Sequence, residues 1–342
     1  MRSWDQNNMA YTTIIHIGNA SFMCYIWNGK RIMKALLGFT VITLAVLGGC
    51  SSGRDVPVNY MLRSDTTRIK RDIDSIVNTD EYRNYQNTET LDQVAGYIKR
   101  QFLTVSDSVT EQNYDEYKNV ICSINTDKKE RVIIGAHYDV CGDQDGADDN
   151  ASGVAGLLEL ARIMKNEKLN YRIDFVAYSL EEPPYFGTDN MGSNVHAKYL
   201  KDNNIPVKGM ICLEMIGYYN DSAGSQRYPV GFLKWFYGNK GNYITVVQKY
   251  WNGSFNGEIT RLMQDNSLLP TKSFSGPAWL TGVDFSDHRN YWNYGYSAVM
   301  ITNTSFYRNK NYHEKTDTIE TLDIKRLALT VDELYLALKQ LK

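Results

Sequence analysis

The feature that most constrains the fold is a strand, loop and helix pattern within residues 131–164. Residues 132–135 are a short apolar run without helical periodicity, which is typical of a strand covered on both faces. His137 and Asp139 follow two residues apart, so on a strand they point to the same side. From Ser152 onward the apolar residues recur at helical spacing. The pattern predicts polar residues at the carboxyl end of a strand, where open α/β sheets bind ligands.

The rest of the chain alternates between strand and helix patterns. Further strands are predicted at 119–124, 172–180, 207–216 and 297–302, and helices at 69–76, 91–102, 152–166, 193–202, 243–250, 257–264 and 324–341. Asp323 is positioned to cap the last helix. Two segments, 218–242 and 268–287, are expected to be irregular. This alternation predicts one catalytic domain, 67–342, built as a three-layer α/β/α sandwich around a mixed, mainly parallel sheet.

The first 66 residues predict export rather than a folded domain. A basic segment precedes the apolar run 35–47, which is too short to span a membrane as a mature helix. The run ends in Leu47-Gly48-Gly49-Cys50, which resembles a bacterial lipobox and implies cleavage before Cys50 and a lipid on its sulfur. We therefore expect an upstream extension at 1–32, a signal peptide at 33–49 and a lipidated tether at 50–66. The alternative is an uncleaved anchor.

This reading places the protein in a bacterial cell envelope, lipid-anchored and facing the periplasm. The residues after Cys50 are serines rather than aspartate, so the outer membrane is favoured over the inner one. A net charge of −2 gives no reason to expect nucleic acid as a partner. With Cys24 in the extension and Cys50 lipidated, Cys122, Cys141 and Cys212 allow at most one internal disulfide.

Acidic and imidazole side chains accumulate at the predicted strand ends. His137 ends one strand, Glu181 and Glu182 follow the next, Glu214 lies near the end of a third, and a late loop carries His313. Oxygen and imidazole ligands without thiolates suit zinc, with manganese or cobalt as alternatives. A two-ion site needs a bridging carboxylate and about two further ligands per ion, with the ions ~3.5–4 Å apart. The side chains present match that requirement.

Five motifs occur in the order seen in the co-catalytic zinc aminopeptidases. They are His137-Tyr138-Asp139, Gly146-Ala147-Asp148-Asp149-Asn150-Ala151-Ser152-Gly153, Glu181-Glu182, Glu214-Met215-Ile216-Gly217 and Tyr312-His313. The chain therefore resembles this family from residue 91 to the C-terminus. The same peptidase clan, MH, also contains glutaminyl cyclases and glutamate carboxypeptidases. The resemblance implies the zinc-exopeptidase fold, a peptide substrate and two zinc ions.

Carried over by position, the resemblance also implies a ligand for each ion. Asp148 resembles the bridging carboxylate. Glu182 and His313 would complete one ion, and His137 and Glu214 the other. The neighbouring Asp149 is left out of this ligand set. The Asp, Asn and Ser residues within 148–152 also suit the cap of a helix.

Two further acids resemble residues with catalytic roles. Glu181 resembles the general base, which takes a proton from the attacking water and returns it to the leaving amine. Asp139 resembles the acid that holds the imidazole of His137. Two departures from the family pattern matter: Glu214 stands where aspartate is common, and Pro183-Pro184 replace a more polar turn.

Several residues have two interpretations. Alone, His137 and Asp139 would be a buried hydrogen-bonded pair, Glu181 and Glu182 a solvated pair, and His313 a surface residue. Ser286-Asp287-His288 is interpreted either as part of the pocket or as a structural hydrogen-bond cluster, and His196 as structural. Cys141 could face the metals, but no second thiolate matches it, so we do not count it among the ligands.

The sequence gives less information about the substrate pocket than about the metal site. The aromatic residues that are candidates to line it, or to pack in the core, are Tyr218, Tyr219, Trp235, Phe236, Trp279, Phe285 and Trp292. Arg227 could bind a substrate carboxylate, which would favour a dipeptidase or carboxypeptidase. The family resemblance favours an aminopeptidase. The alternatives are a glutaminyl cyclase with one zinc ion and a non-catalytic binding protein on the same fold.

Overall fold

The computed structural model describes residues 60–342, together with the backbone of three strands near the N-terminus. Those strands are β1 (Tyr11–Ile17), β2 (Ala20–Trp27) and β3 (Lys30–Arg31), and they form an antiparallel sheet in that order. The chain divides into two compact units, Met1–Gly48 and Gly49–Lys342. The expected signal peptide and Cys50 lie outside the described residues, so those assignments stay predictions.

The larger unit contains eight strands in one mixed sheet. They are β4 (Val109–Tyr114), β5 (Tyr117–Ile124), β6 (Arg131–His137), β7 (Arg172–Tyr178), β8 (Val207–Glu214), β9 (Ile244–Lys249), β10 (Thr271–Gly276) and β11 (Ala298–Thr302). Their order is β10-β9-β11-β8-β6-β7-β5-β4. Four of the seven neighbouring pairs are parallel, including the central β8-β6-β7. The predicted mixed, mainly parallel sheet is confirmed.

Helices cover both faces of this sheet. They are α1 (Thr66–Val77), α2 (Thr88–Leu103), α3 (Gly153–Met164), α4 (Gly192–Asp202), α5 (Lys234–Tyr237), α6 (Ser254–Asn266), α7 (His288–Asn293) and α8 (Ile324–Gln340). One apolar core packs α1, α2, α3, α6 and α8 on one face, and a smaller core packs α4 and α7 on the other. Within the described residues, no helix has the length and apolar content needed to cross a membrane.

Side-chain caps fix the starts of the first and last helices. The carboxylate of Asp65 accepts hydrogen bonds from the backbone N–H groups of Thr67 (2.8 Å) and Arg68 (3.2 Å). Asp323 accepts from the N–H of Arg326 at 3.0 Å, so its predicted capping role is confirmed. These bonds satisfy donors that have no partner within the helix.

Two segments differ from the sequence prediction. Residues 243–250, predicted as a helix, contain strand β9, which is paired with both β10 and β11. The β-branched residues Ile244, Val246 and Val247 fit a buried strand, and sheet pairing outweighs their partly helical spacing. Residues 268–287, predicted as irregular, contain the parallel strand β10.

Candidate metal centre

The centre lies at the carboxyl ends of the three central parallel strands. His137 is the last residue of β6 and Glu214 the last residue of β8. Glu181 and Glu182 follow β7 directly. Because β8, β6 and β7 are parallel neighbours, their ends bring these four side chains to the same edge of the sheet. All four are buried.

Asp149 joins the two histidines of the centre. Its Oδ1 lies 3.3 Å from Nε2 of His137, and its Oδ2 lies 3.3 Å from Nε2 of His313. Glu214 Oε2 lies 3.4 Å from the same nitrogen of His137. Glu182 Oε2 lies 3.3 Å from that of His313. Each oxygen of the Asp149 carboxylate thus faces a separate group of possible metal ligands.

Asp148, which the sequence analysis placed in that bridging position, points elsewhere. Its Oδ1 accepts hydrogen bonds from the backbone N–H groups of Gly217 (2.9 Å) and Tyr218 (3.1 Å). Its Oδ2 accepts from the side-chain amides of Asn303 and Asn309, both at 2.8 Å. Both oxygens are therefore occupied by protein donors, and Asp148 holds neighbouring loops together instead of facing the histidines.

The backbone explains why two adjacent aspartates diverge. Asp149 has φ −107° and ψ 91°, and Asn150 has φ −131° and ψ 37°, so the chain is kinked before α3. The side chain of Asn150 ties this kink to β8: its amide donates to the carbonyl of Leu213, and its oxygen accepts from the N–H of Met215 at 3.0 Å. No local sequence pattern distinguishes Asp148 from Asp149, because the choice depends on this kink.

Two residues that the sequence analysis did not identify hold the loop in place. Arg83 is buried and donates from Nε to the carbonyl of Tyr138 (2.9 Å) and from Nη2 to that of Gly146 (2.7 Å). The carboxylate of Asp317 accepts from the backbone N–H groups of Asp148 and Asp149, both at 3.0 Å. Arg83 lies far upstream of the loop and Asp317 far downstream, so spacing gives no signal for either contact.

Asp139 connects the two loops that carry the centre. Its two oxygens accept from the backbone N–H groups of Glu181 (3.1 Å) and Glu182 (3.0 Å). Its Oδ1 also lies 3.4 Å from Nδ1 of His137. The orienting role expected for Asp139 stays a prediction, and the structure shows that Asp139 anchors the backbone of the paired glutamates.

The Ser286-Asp287-His288 motif divides between two environments. Ser286 donates a 2.6 Å hydrogen bond to Oε2 of Glu214, so it orients that carboxylate. His288 is buried, its Nε2 contacts the carbonyl of Val283 at 2.7 Å, and burial lowers its pKa to about 4, as expected for a structural histidine. Burial raises the pKa of Asp287 to about 7, and Ser193 partly offsets this shift.

The electrostatics of the cluster favour a bound cation. Burial raises the pKa of Glu182 to about 7 and raises those of Glu181 and Glu214 as well, with neighbouring carboxylates adding to the effect. Burial opposes protonation of His137, but Glu181 and Glu214 outweigh it and raise the pKa of the imidazole. In the described part of the chain, Glu182 Oε1 and His313 Nε2 have no hydrogen-bond partner. Buried oxygen and nitrogen atoms without a hydrogen-bond partner are suited to bind a divalent ion.

A cavity of about 310 Å³ opens beside the cluster. Its walls include Phe186, Phe274, Phe285, Phe306, Tyr228, Tyr243, Tyr312, Val247, Val283 and Met300. Within residues 60–342, Phe285 is the one residue of the seven aromatic candidates that lines it, and Arg227 and Pro183 line it too. Trp235 and Trp279 are about four-fifths exposed, at 79% and 81%.

Two of the remaining aromatic candidates, together with His196, have structural contacts. Tyr219 and Trp292 are buried, and their polar atoms bond to Thr330 and to the carbonyl of Ala298. Nδ1 of His196 lies 2.6 Å from the hydroxyl of Tyr291, which agrees with the structural role expected for it.

Comparison with known proteins identifies the family of the chain. The family model for Peptidase family M28 matches residues 119–337. The chain is 39% identical over 277 residues to the uncharacterized protein YfbL of Escherichia coli K12, which covers 78% of this chain and 85% of that protein. It is 28% identical over 226 residues to leucine aminopeptidase 1 of Ajellomyces capsulatus, covering 61% of this chain and 52% of that protein.

A solved glutaminyl cyclase from Porphyromonas gingivalis shares the fold, with a TM-score of 0.60 at 19% identity, covering 81% of this chain and 98% of that one. Because the family match spans more than half of the chain, the protein belongs to peptidase family M28.

Proposed function

We propose that the protein is a two-metal aminopeptidase that removes the N-terminal residue of peptides. The observation that carries this proposal is the position of Asp149, whose two oxygens face two different histidines. His137, Asp149 and Glu214 would hold one ion, and Asp149, Glu182 and His313 the other. The bridge is thus assigned to Asp149 in place of Asp148.

The donor set suits zinc, with manganese or cobalt as alternatives. When bound, divalent ions of this kind lower the pKa of water toward ~7 and polarise a scissile carbonyl. The protein's own contribution is to keep the donors in place without the ion. Asp139 fixes the backbone of the paired glutamates, and Ser286 fixes the carboxylate of Glu214.

Glu181 is assigned as the general base. Its carboxylate reaches the centre, with Oε2 at 3.9 Å from Nε2 of His137, but it is not needed to complete either ligand set. Burial raises its pKa, which favours a carboxylate able to accept and hold a proton. Glu181 would take the proton of the attacking water and deliver it to the amine that leaves when the peptide bond breaks.

The cavity supports an N-terminal residue with an apolar side chain. Aromatic and aliphatic groups form most of its walls, and such surfaces bind apolar side chains through burial of area. The name of the Ajellomyces relative, leucine aminopeptidase 1, supports the same reading. One buried hydroxyl in the wall, Oγ1 of Thr245, has no partner within the described residues.

The test measures metal content and hydrolysis of an aminoacyl-anilide panel on wild type, Glu181→Gln and Glu116→Gln. Glu116 is exposed and serves as the control. We expect about two zinc ions per chain in all three. Hydrolysis should fall about 10²–10⁴-fold in Glu181→Gln alone, which is the usual size of a general-base contribution. Absence of bound metal after reconstitution with zinc would refute the proposal.

A glutaminyl cyclase is the second candidate, because a protein with that activity shares the fold. Cyclisation of an N-terminal glutamine needs a single zinc ion, whereas here donors for two ions are present around Asp149. A single zinc per chain together with cyclisation of glutaminyl peptides would establish the cyclase. Chains that bind no metal would indicate a binding protein.

We further propose that the protein is a lipoprotein of the bacterial cell envelope, anchored through Cys50 and facing the periplasm, on the outer membrane rather than the inner one. The supporting observation is the order of a basic segment, an apolar run and Leu47-Gly48-Gly49-Cys50. Radiolabelled palmitate should label the wild-type protein in cells and not Cys50→Ser. Equal labelling of both would contradict the anchor.

A further inference from the structure

The thiol of Cys141 lies beside one half of the metal centre. Sγ of Cys141, a carboxylate oxygen of Glu182 and a ring nitrogen of His313 all lie within 4.8 Å of one another. The other two described cysteines are elsewhere: Sγ of Cys212 lies 3.2 Å from the hydroxyl of Ser286, and Sγ of Cys122 lies 3.8 Å from a backbone carbonyl. Both of those are buried, whereas Cys141 is partly accessible.

The two groups next to the thiol each have an atom without a hydrogen-bond partner in the described residues. Glu182 is 4% exposed, and its Oε1 has no hydrogen-bond partner within residues 60–342. Nε2 of His313 also lacks one in this part of the chain, and the ring is stacked on Tyr312 with centroids 3.8 Å apart. The groups around the thiol are thus held close together: Nε2 of His313 lies 3.3 Å from carboxylate oxygens of Asp149 and Glu182 without hydrogen-bond alignment, and Oε1 of Glu182 has no partner among the described residues.

The spacing is compatible with a single ion. Zinc binds thiolate sulfur at ~2.3 Å and imidazole or carboxylate donors at ~2.0–2.2 Å in tetrahedral sites, so two donors of one ion are separated by roughly 3.3–3.7 Å. Donors within 4.8 Å of one another can therefore converge on an ion with small side-chain adjustments. The sequence analysis discounted Cys141 for want of a second thiolate, but the structure supplies its partners from distant loops.

We propose that Cys141 is a further protein ligand of the ion assigned to Glu182 and His313, a role that rests on the proposed function. On binding, the Sγ–H bond breaks, its proton passes to solvent and the thiolate sulfur bonds to the ion. The two halves of the centre then differ. One is bound by oxygen and nitrogen alone, and the other also by a soft sulfur donor that favours zinc, cadmium or cobalt over manganese.

The test uses the full chain, reduced, stripped of metal and loaded with two equivalents of Co²⁺. A bond between thiolate and Co²⁺ gives an intense charge-transfer absorption in the near ultraviolet that oxygen and nitrogen ligands lack. We expect this band in wild type and in the matched control Cys212→Ser. It should be absent from Cys141→Ser, which should keep the visible cobalt bands.

A second readout does not depend on spectra. Because the thiol of Cys141 is partly accessible, iodoacetamide should alkylate it in metal-free protein. Saturation with Zn²⁺ should slow this alkylation at least about tenfold, and saturation with Mn²⁺ should slow it less.

The outcomes separate the two proposals. Visible cobalt bands without the ultraviolet band in wild type would overturn the role of Cys141 and leave the two-metal centre intact, as would alkylation that zinc does not slow. Wild-type protein that binds no cobalt would overturn both. Loss of the ultraviolet band in Cys141→Ser, with cobalt still bound, would support both.

Discussion

Two groups of buried carboxylates in this protein have opposite surroundings. The helix-layer cluster, consisting of Asp72, Glu159 and Asp332, lies among α1, α3 and α8. Arg68 donates to both oxygens of Glu159, at 3.0 and 2.6 Å. Arg162 joins Glu159 (3.1 Å) and Asp72 (2.5 Å).

The third acid of this cluster is also satisfied by the protein. Asp332 accepts from the backbone N–H groups of Arg63 (2.7 Å) and Ser64 (3.0 Å), which fixes residues 63–64 against α8. Every member of the helix-layer cluster therefore has cationic or N–H partners.

The site cluster, consisting of Asp149, Glu181, Glu182 and Glu214, faces mainly two imidazoles, and Oε1 of Glu182 has no hydrogen-bond partner within residues 60–342. The two clusters are equally buried, so burial alone does not separate structure from function. What separates them is whether the protein itself satisfies the charge. A buried carboxylate without a partner raises the free energy of the folded state, so this cluster is expected to bind a cation.

Asp149→Asn should have the largest effect of the variants that test this contrast. Loss of the bridging charge should reduce kcat/KM on aminoacyl-anilides about 10³-fold, or ~4 kcal/mol of transition-state stabilisation, and should lower zinc content. The free energy of unfolding of the metal-free protein should change by less than about 1 kcal/mol, because the variant loses charged contacts with His137 and His313 but also relieves repulsion from Glu182 and Glu214. A large loss of metal-free stability would place Asp149 with the structural acids.

Arg162→Met should give the reverse pattern in the helix-layer cluster. Removing one partner from a buried ion pair leaves uncompensated carboxylates and costs about 3–5 kcal/mol. Urea unfolding should show this loss while the zinc content of the folded protein stays the same. The matched control is Arg261→Met, which breaks an exposed pair with Asp265 and should change stability by less than ~1 kcal/mol.

Asp148→Asn tests two adjacent acids against each other. The side chain of Asp148 accepts from four N–H donors, and an amide can serve only part of them. Stability of the metal-free protein should fall by about 1–3 kcal/mol. Equal effects of Asp148→Asn and Asp149→Asn in both assays would remove the distinction drawn between the neighbours.

Glu333→Gln should have the smallest effect and tests a buried acid without a cation. Burial raises the pKa of Glu333 to about 8, so the folded state favours the protonated form. Its stabilising contribution is complete below the unfolded pKa near 4.5 and is lost as pH rises toward 8.

The wild type should therefore lose on the order of 1–2 kcal/mol more than Glu333→Gln between about pH 6.5 and 8. Parallel stability curves for the two proteins, measured by urea unfolding across that range, would contradict the assignment.

The position of a site residue can be predicted from the sequence when nearby residues determine it, and not when distant contacts do. The ends of β6 and β8 are set by runs of apolar residues, and the positions of His137 and Glu214 follow directly. Asp149 depends on a backbone kink that no side-chain pattern encodes. Arg83 and Asp317 act across long sequence separations, so only the folded chain brings them to the loop.

The secondary structure shows the same division. The helix that follows the acidic loop was predicted from apolar spacing alone, and α3 confirms it. Strand β9 was mistaken for a helix because its identity depends on its neighbours β10 and β11, which come later in the chain.

The clamp formed by Arg83 and Asp317 has a thermodynamic consequence. Because protein bonds hold the loop of Asp149, its conformational entropy is lost when the chain folds and not when an ion binds. Zinc fingers differ, since their folding and metal binding are a single event. Here calorimetry of zinc binding should show a small heat-capacity change, and a chelator should leave a chain that still unfolds cooperatively.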